Sequence, residues 1–274
     1  MLNLFQAGVS SSSVDEVGLL RWAYYFRSHD ALSGVAMVLG LADRLALHHP
    51  RFAPFRAWMI VESGQLPDLG ALVTAFTRAG HDDIVAWNDL GLVIRSVKDR
   101  GETCKFYRLA HRQFPDHLTL QHNLAQAEVD NGNLAIGQRL ARQIVVQDPC
   151  AFRSLNLLGI LEGEYDAPQI AVKILRRCLV IDPNWPPGFL NLGLQLSSCG
   201  DRRGAIDTMR TALASSDGEY PQAAYNLALE LIGNGEIAEG FHHYRMRWRA
   251  DGFLSQPRPL PQTEWPGPSA APRS

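Results

Sequence analysis

A stretch of 34 residues, 184–217, decides the fold; it reads NWPPGFLNLGLQLSSCGDRRGAIDTMRTALASSD. Its apolar residues recur at the three- and four-residue steps of an α-helix, with one interruption at residues 199–201. Gly200, in that interruption, can adopt the left-handed backbone that ends a helix. The stretch therefore predicts two amphipathic helices joined by a tight turn, with Gly193 and Ala205 as small residues that let the helices approach closely.

The same pattern recurs along the chain with a period of 34 residues. Three prolines set the register, and they are Pro115, Pro149 and Pro183. Small residues recur on the first helices, at Gly91, Gly159 and Gly193, and on the second helices, at Ala110, Ala141, Ala171, Ala205 and Ala212. Because one helix pair cannot bury both of its faces, such pairs are expected to stack on one another.

Period, small residues and proline together resemble the tetratricopeptide repeat (TPR). The resemblance covers residues 84–250 as five units and weakens over residues 14–83, which we interpret as two degenerate helix pairs. It implies an all-α fold, an α-solenoid of about seven stacked antiparallel helix pairs in a TPR superhelix. Residues 1–13 form an N-terminal segment, with Ser13 and Glu16 predicted to cap the first helix. Residues 251–274 hold six of the sixteen prolines and predict an extended, proline-rich C-terminal tail.

Composition narrows the possible functions. The chain is 46% hydrophobic and 20% charged, with a formal net charge of -2. This charge gives no electrostatic footprint for nucleic acid, and we expect no nucleic-acid partner. No run of apolar residues approaches the ~18 needed to cross a bilayer, so no membrane span is expected. Residues 1–16 contain neither a Lys or Arg nor a sustained apolar run, which favours a cytoplasmic protein.

Motifs for catalysis or metal binding are missing from the sequence. Nine histidines and four cysteines show no metal-ligand spacing, and there is no nucleophile or phosphate-binding motif. Carboxylates such as Asp83 and Glu162 are interpreted as helix caps or dipole partners. We therefore expect no enzyme activity, no cofactor and no metal site in this chain.

Asparagines recur on the first helix of successive units. Three of them directly precede a Leu–Gly or Leu–Ala step, and two lie one residue earlier in their units, which gives a row of five candidate binding residues: Asn88, Asn123, Asn156, Asn191 and Asn226. Asparagine is a mediocre helix-interior residue, so its recurrence needs a reason.

Two reasons are open for the asparagine row. An amide both donates and accepts, so the row could hold the backbone of an extended peptide, with apolar contacts from Leu194 and Leu229. This arrangement resembles the asparagine ladder in the TPR domain of O-linked GlcNAc transferases, which implies a protein or peptide partner in the concave groove. Alternatively, the amides bond between neighbouring helices and stabilise the array.

A second resemblance lies near the C-terminus. It rests on residues that resemble the junction of bacterial TPR proteins with a following glycosyltransferase-like domain: Glu236, Ala238 to Phe241, Tyr244, Arg247 to Arg249, Phe253, Pro257, Pro261, Trp265 and Gly267. The resemblance implies the substrate-recognition part of a bacterial protein glycosyltransferase system, lacking its catalytic domain in this chain. Its partner would be a glycosyltransferase domain or that domain's protein substrate.

Two further interpretations rank lower. A co-chaperone that grips a carboxylate needs a regular set of basic residues on the first helices, which offer Arg95 and Arg153 but no such regular set. The basic and aromatic run from Tyr244 to Arg249 could contact nucleic acid. A packing role is favoured for this run, because Tyr244 and Trp248 are four residues apart on the last helix. The leading hypothesis is a non-enzymatic protein-interaction module.

Overall fold

The computed structural model describes residues 15–65, 67–80 and 82–250, and all regular secondary structure in these ranges is helical. Fourteen α-helices are followed by a 3-10 helix at Arg245–Arg249. The α-helices are α1 Glu16–Ser28, α2 Leu32–Arg44, α3 Phe52–Glu62, α4 Leu69–Arg78, α5 Ile84–Ser96, α6 Arg100–Gln113, α7 Leu118–Asp130, α8 Leu134–Gln147, α9 Phe152–Glu164, α10 Pro168–Ile181, α11 Pro186–Ser198, α12 Arg202–Ala214, α13 Pro221–Gly233 and α14 Ile237–Tyr244.

The helices form seven successive pairs, which confirms the predicted all-α architecture. Each odd-numbered helix is the first helix of its pair. In six of the seven pairs the two helices are joined by three residues, and the connection from α3 to α4 contains residue 66, which lies outside the described residues. Glycines predicted to take the left-handed conformation do so in three of these turns, with φ of 88° at Gly132, 82° at Gly200 and 88° at Gly235. Lys98 and Asp166 take the same conformation in two turns that lack glycine.

Glycines on the first helices allow close packing of the second helices, as predicted. A Cβ atom at each of three glycines would lie 2.6–2.8 Å from a side chain of the paired helix: Gly91 from Tyr107, Gly159 from Leu175 and Gly193 from Met209. Each contact spans sixteen residues, so the same approach recurs in three repeats. These glycines are therefore required for helix packing and are not spare positions on the surface.

The first helix begins later than predicted. Helix α1 starts at Glu16, and its N-cap is Asp15, whose carboxylate accepts a hydrogen bond from the Gly18 backbone N–H at 2.6 Å. The prediction that Ser13 caps this helix is therefore wrong, and Ser13 itself lies outside the described residues. Aspartate is as good an N-cap as serine, and Asp15 is closer in sequence than Ser13 to Leu19, the first buried apolar residue of the helix. Asp83 caps helix α5 as expected.

The described chain divides between Leu140 and Ala141 into two compact units, which we call unit 1 and unit 2. Unit 1 has an aromatic core that includes Phe26, Phe55, Trp87 and Phe106. The cores of unit 2 are built from aliphatic side chains on α10 to α13, such as Leu227.

The predicted boundary between residues 83 and 84 concerns the regularity of the repeat sequence and stays a prediction. The predicted segments 1–13 and 251–274 lie outside the described residues. None of the helices in the described ranges is long and apolar enough to cross a membrane.

Candidate peptide-binding surface

All five predicted asparagines lie on first helices and are half-buried. Asn88 and Asn123 stand on α5 and α7 of unit 1, and Asn156, Asn191 and Asn226 stand on α9, α11 and α13 of unit 2. Half-burial leaves part of each residue exposed to solvent.

Two pairs of these asparagines are hydrogen-bonded between neighbouring first helices. In unit 1 the Nδ2 group of Asn123 donates to Oδ1 of Asn88 at 3.0 Å. In unit 2 the Nδ2 group of Asn191 donates to Oδ1 of Asn156 at 2.9 Å. Both bonds join residues 35 apart, one more than the repeat length. Asn88 and Asn156, the two residues that lie one position earlier in their units, are thus the acceptors of the bonds.

These bonds leave hydrogen-bonding capacity on the unit 2 pair. An asparagine amide has two N–H donors and an oxygen that accepts two hydrogen bonds. The bond between Asn191 and Asn156 uses one donor and one acceptor site, so the pair retains donors and acceptors. The side chain of Asn226 makes no hydrogen bond to any other residue in the described ranges of the chain. Unit 2 therefore presents both donors and acceptors on its first helices.

The corresponding residues in unit 1 are more strongly engaged by the protein itself. Asp89 accepts a hydrogen bond from the Tyr24 hydroxyl at 2.7 Å and a longer one, 3.5 Å, from the Asn88 amide. Burial and the neighbouring Asp89 carboxylate both raise the pKa of Tyr24, so its hydroxyl remains a donor. The first helices of unit 1 thus carry an internal polar network in which Asn88 both donates and accepts.

Apolar side chains lie one turn beyond the asparagine positions of unit 2. Leu194 is 38% exposed and Leu229 is 45% exposed, and each lies three residues after an asparagine on the same helical face. We call Asn156, Asn191, Asn226, Leu194 and Leu229 the amide surface. A leucine that remains this exposed beside a polar amide offers a ligand both apolar area and hydrogen bonds.

Basic residues do not form a carboxylate grip on these helices. Arg95 pairs with Asp130 at 3.3 Å, and the guanidinium of Arg153 lies 5.7 Å from the ring centroid of Phe152. Among the described residues, no group of three His, Cys, Asp or Glu side chains is placed to hold a metal ion.

Repeated ion pairs between helices were missed by the sequence analysis. In unit 1, Arg108 on α6 holds Glu128 on α7 through two hydrogen bonds of 2.7 and 2.9 Å. In unit 2, Arg142 donates to Glu162 at 2.6 Å. Both carboxylates are buried, so the interpretation of Glu162 as a cap or dipole partner is wrong. The 34-residue spacing of the two arginines and of the two glutamates was the available signal.

The C-terminal basic and aromatic run packs on itself. Helix α14 ends at Tyr244 and the chain continues as a 3-10 helix, so Tyr244 and Trp248 are not four residues apart on one α-helix. The guanidinium of Arg247 lies 4.6 Å from the ring centroid of Tyr244 and 4.1 Å from that of Trp248. Tyr244 also contacts Tyr225 on α13. This arrangement agrees with a packing role for the run.

Comparisons with known proteins identify the fold. No protein-family profile and no curated protein matches the sequence. Among solved structures, the TPR protein TTC0263 of Thermus thermophilus is 17% identical, with a TM-score of 0.55 over 62% of this chain and 92% of that protein. MamA, residues 41 to the end, of Desulfovibrio magneticus RS-1 is 13% identical, with a TM-score of 0.50 over 60% of this chain and 93% of that one.

An O-GlcNAc transferase mutant of Thermobaculum terrenum is a further solved structure that matches part of this chain. It is 25% identical over 42% of this chain but only 22% of that enzyme, and its TM-score is 0.41. The helix pairs in each unit, their glycine contacts and the likeness to TTC0263 together give the class: the chain has the TPR fold. Arrays of such repeats present extended binding surfaces.

Proposed function

We propose that the chain is a protein-interaction scaffold that binds an extended segment of a protein partner along the amide surface of unit 2. The observation that carries the proposal is the Asn226 amide, which has no hydrogen-bonding partner among the described residues, beside the exposed Leu229. A half-buried amide without a partner in the protein is suited to the N–H and C=O groups of a peptide backbone.

The expected recognition depends on many weak contacts. Each neutral hydrogen bond contributes only ~0.5–1.5 kcal/mol net. The remaining donors and acceptors of Asn156 and Asn191 add further backbone bonds, and Leu194 and Leu229 add apolar contact. Backbone pairing is tolerant of sequence, so the side chains that meet the two leucines would decide which segment binds.

The test compares partner capture by the wild-type chain and by the double variant Asn191→Ala, Asn226→Ala. Partners are identified by mass spectrometry, and the bound segment is then mapped with overlapping peptides of the captured partner. The matched control is Asn184→Ala, an exposed asparagine of unit 2 that lies outside the amide surface. We expect the double variant to lose the mapped peptide and the control to keep it, while circular dichroism shows that all three forms are folded.

The proposal fails if the folded double variant binds the mapped peptide as tightly as the wild-type chain. The asparagines would then only stabilise the packing of neighbouring helices, as the alternative interpretation predicts. The proposal assigns no reaction to this chain and no cofactor, and detectable sugar transfer by the isolated chain would contradict the non-enzymatic assignment. The cytoplasmic location stays a prediction.

A role in protein glycosylation stays a prediction that rests on the C-terminal sequence resemblance. Part of that segment, from Phe253 onward, lies outside the described residues. The prediction requires a captured partner that carries sugars, or a transferase recovered in the same complex. Glycopeptide analysis of the captured proteins tests this prediction. Partners that carry no sugars, in a complex without a transferase, would contradict it.

A further inference from the structure

A second candidate site lies at the C-terminal end of unit 2, away from the amide surface. A cavity of about 480 Å³ opens between the end of α12, the turn after it, α13, and the segment from α14 into the 3-10 helix. Leu213, Ala224 and Met246 supply apolar lining, and His242, His243 and Arg245 add nitrogen-bearing side chains. Cavities that bind small ligands are of this size and combine a mostly apolar wall with a few polar groups.

The charge of this cavity is positive. Its lining includes Arg245 and two imidazoles but no carboxylate. Two acidic side chains close in sequence to the lining residues are engaged by guanidinium groups, since Glu219 pairs with Arg249 at 3.3 Å and Glu239 pairs with Arg210 at 3.0 Å. Glu239 also lies 3.9 Å from Nε2 of His243. Arg245 forms no ion pair with any residue in the described part of the chain.

His243 contributes hydrogen-bonding groups more than charge. Burial, the adjacent His242 and Arg210 lower the pKa of His243, whereas Glu239 acts in the opposite direction. His243 is therefore mainly neutral near pH 7, and Arg245 provides the permanent positive charge beside the apolar wall.

We propose that this cavity binds an apolar group that carries a carboxylate, with the apolar part against Leu213, Ala224 and Met246 and the carboxylate at Arg245. Two sources share this chemistry, a free aryl or alkyl acid and a large apolar residue next to an acidic residue in a partner segment. No residue of the amide surface lines this cavity, so the failure of either proposal would leave the other one unaffected.

The test uses two matched pairs of ligands on the full chain. Phenylbutyrate is compared with phenylbutyramide, its neutral counterpart, and the blocked peptide Gly-Phe-Asp-Gly is compared with Gly-Phe-Asn-Gly. Binding is followed by NMR at the backbone amides of Gly218 and Ala224, which line the cavity. We expect the acid of at least one pair to bind about fivefold or more tightly than its amide, because only the acid gains the charge-assisted contact with Arg245. The pair that binds identifies the source.

Three variants separate the charge from the cavity. Arg245→Gln should reduce the preference for the acid to near unity, whereas Arg203→Gln, an exposed arginine of α12 that does not line the cavity, should leave it unchanged. Ala214→Leu places a larger side chain in the cavity and should weaken acid and amide alike. Equal binding of acid and amide by the wild-type chain, an equal loss in the two arginine variants, or shifts confined to other amides would each overturn the proposal.

Discussion

Asn191 on α11 donates its side-chain N–H to the side-chain oxygen of Asn156 on α9, across 2.9 Å. The same bond recurs in unit 1 between Asn123 and Asn88. The asparagine row thus contains dyads that join neighbouring first helices within each unit. Asn226 has no equivalent bond among the described residues, so the asparagines differ in how much each contributes to the stability of the array.

This difference predicts unequal effects of two alanine substitutions on stability. Asn191→Ala removes the bond and leaves the Asn156 oxygen without its partner, so we expect a loss of about 0.5–1.5 kcal/mol in the free energy of unfolding. Asn226→Ala removes no bond within the described chain and gains helix propensity, so its effect should be neutral to about 0.5 kcal/mol stabilising. Urea unfolding measures both, and equal destabilisation by the two substitutions would contradict this account.

The glycine contacts predict opposite effects of two Gly→Ala changes in unit 1. A Cβ at Gly91 would lie 2.6 Å from the buried ring of Tyr107, so we expect Gly91→Ala to destabilise the chain by about 1–3 kcal/mol despite its higher helix propensity. Gly40 on α2 has nothing within 4 Å of the same position, so Gly40→Ala should stabilise by about 0.5–1 kcal/mol. Thermal unfolding of both variants checks the prediction, which a stabilised Gly91→Ala chain would refute.

The buried ion pair in unit 1 predicts a pH dependence of stability. Burial by itself raises the pKa of Glu128, but hydrogen bonds from Arg108, Asn133 and Cys104 outweigh it, and the pKa is lowered below the usual value. A carboxyl group whose pKa is lower in the folded state stabilises the fold above its unfolded pKa, and this contribution is lost as the pH falls. The free energy of unfolding should therefore decrease as the pH falls below about 5, through the folded pKa of Glu128.

Two glutamine variants isolate this contribution. Glu128→Gln should be less stable than wild type at neutral pH by about 1–3 kcal/mol, and the difference should shrink as the pH falls. Glu62→Gln, an exposed residue at the end of α3, serves as the control and should keep the wild-type pH profile. Denaturant titrations at several pH values provide the measurement. A Glu128→Gln profile parallel to that of wild type would show that Glu128 does not titrate as described.

The exposed leucine of α13 predicts a change in binding without a change in folding. Leu229→Ser should lower the affinity for the mapped partner peptide about fivefold, because the apolar leucine surface is no longer there to be buried on binding. Since Leu229 is 45% exposed in the free chain, only the buried remainder of its side chain contributes to stability, and we expect the free energy of unfolding to fall by about 1–2 kcal/mol while the chain stays folded. Val180→Ser on α10, where the valine is 82% exposed outside the amide surface, is the control. Equal affinities of the two variants for the peptide would argue against the surface.

The periodic part of the architecture was predictable from the sequence because helix pairing is encoded locally. Each of the signals acts within one repeat: apolar residues at helical spacing, the turn glycines Gly132, Gly200 and Gly235, and small residues such as Gly193. The structure confirms these features. The cap at Asp15 was missed because Ser13 and Asp15 both have suitable side chains within two residues, and only the path of the chain selects one.

The tertiary structure alone decided which polar groups meet. The sequence placed asparagines on successive first helices, but the offset between two packed helices determined that Asn156 accepts from Asn191. The same holds for Glu162, whose buried position beside Arg142 depends on how α8 lies against α9. A hydrogen bond requires its two atoms to lie within a few tenths of an ångström of the proper distance, whereas a repeat pattern specifies only the face of a helix.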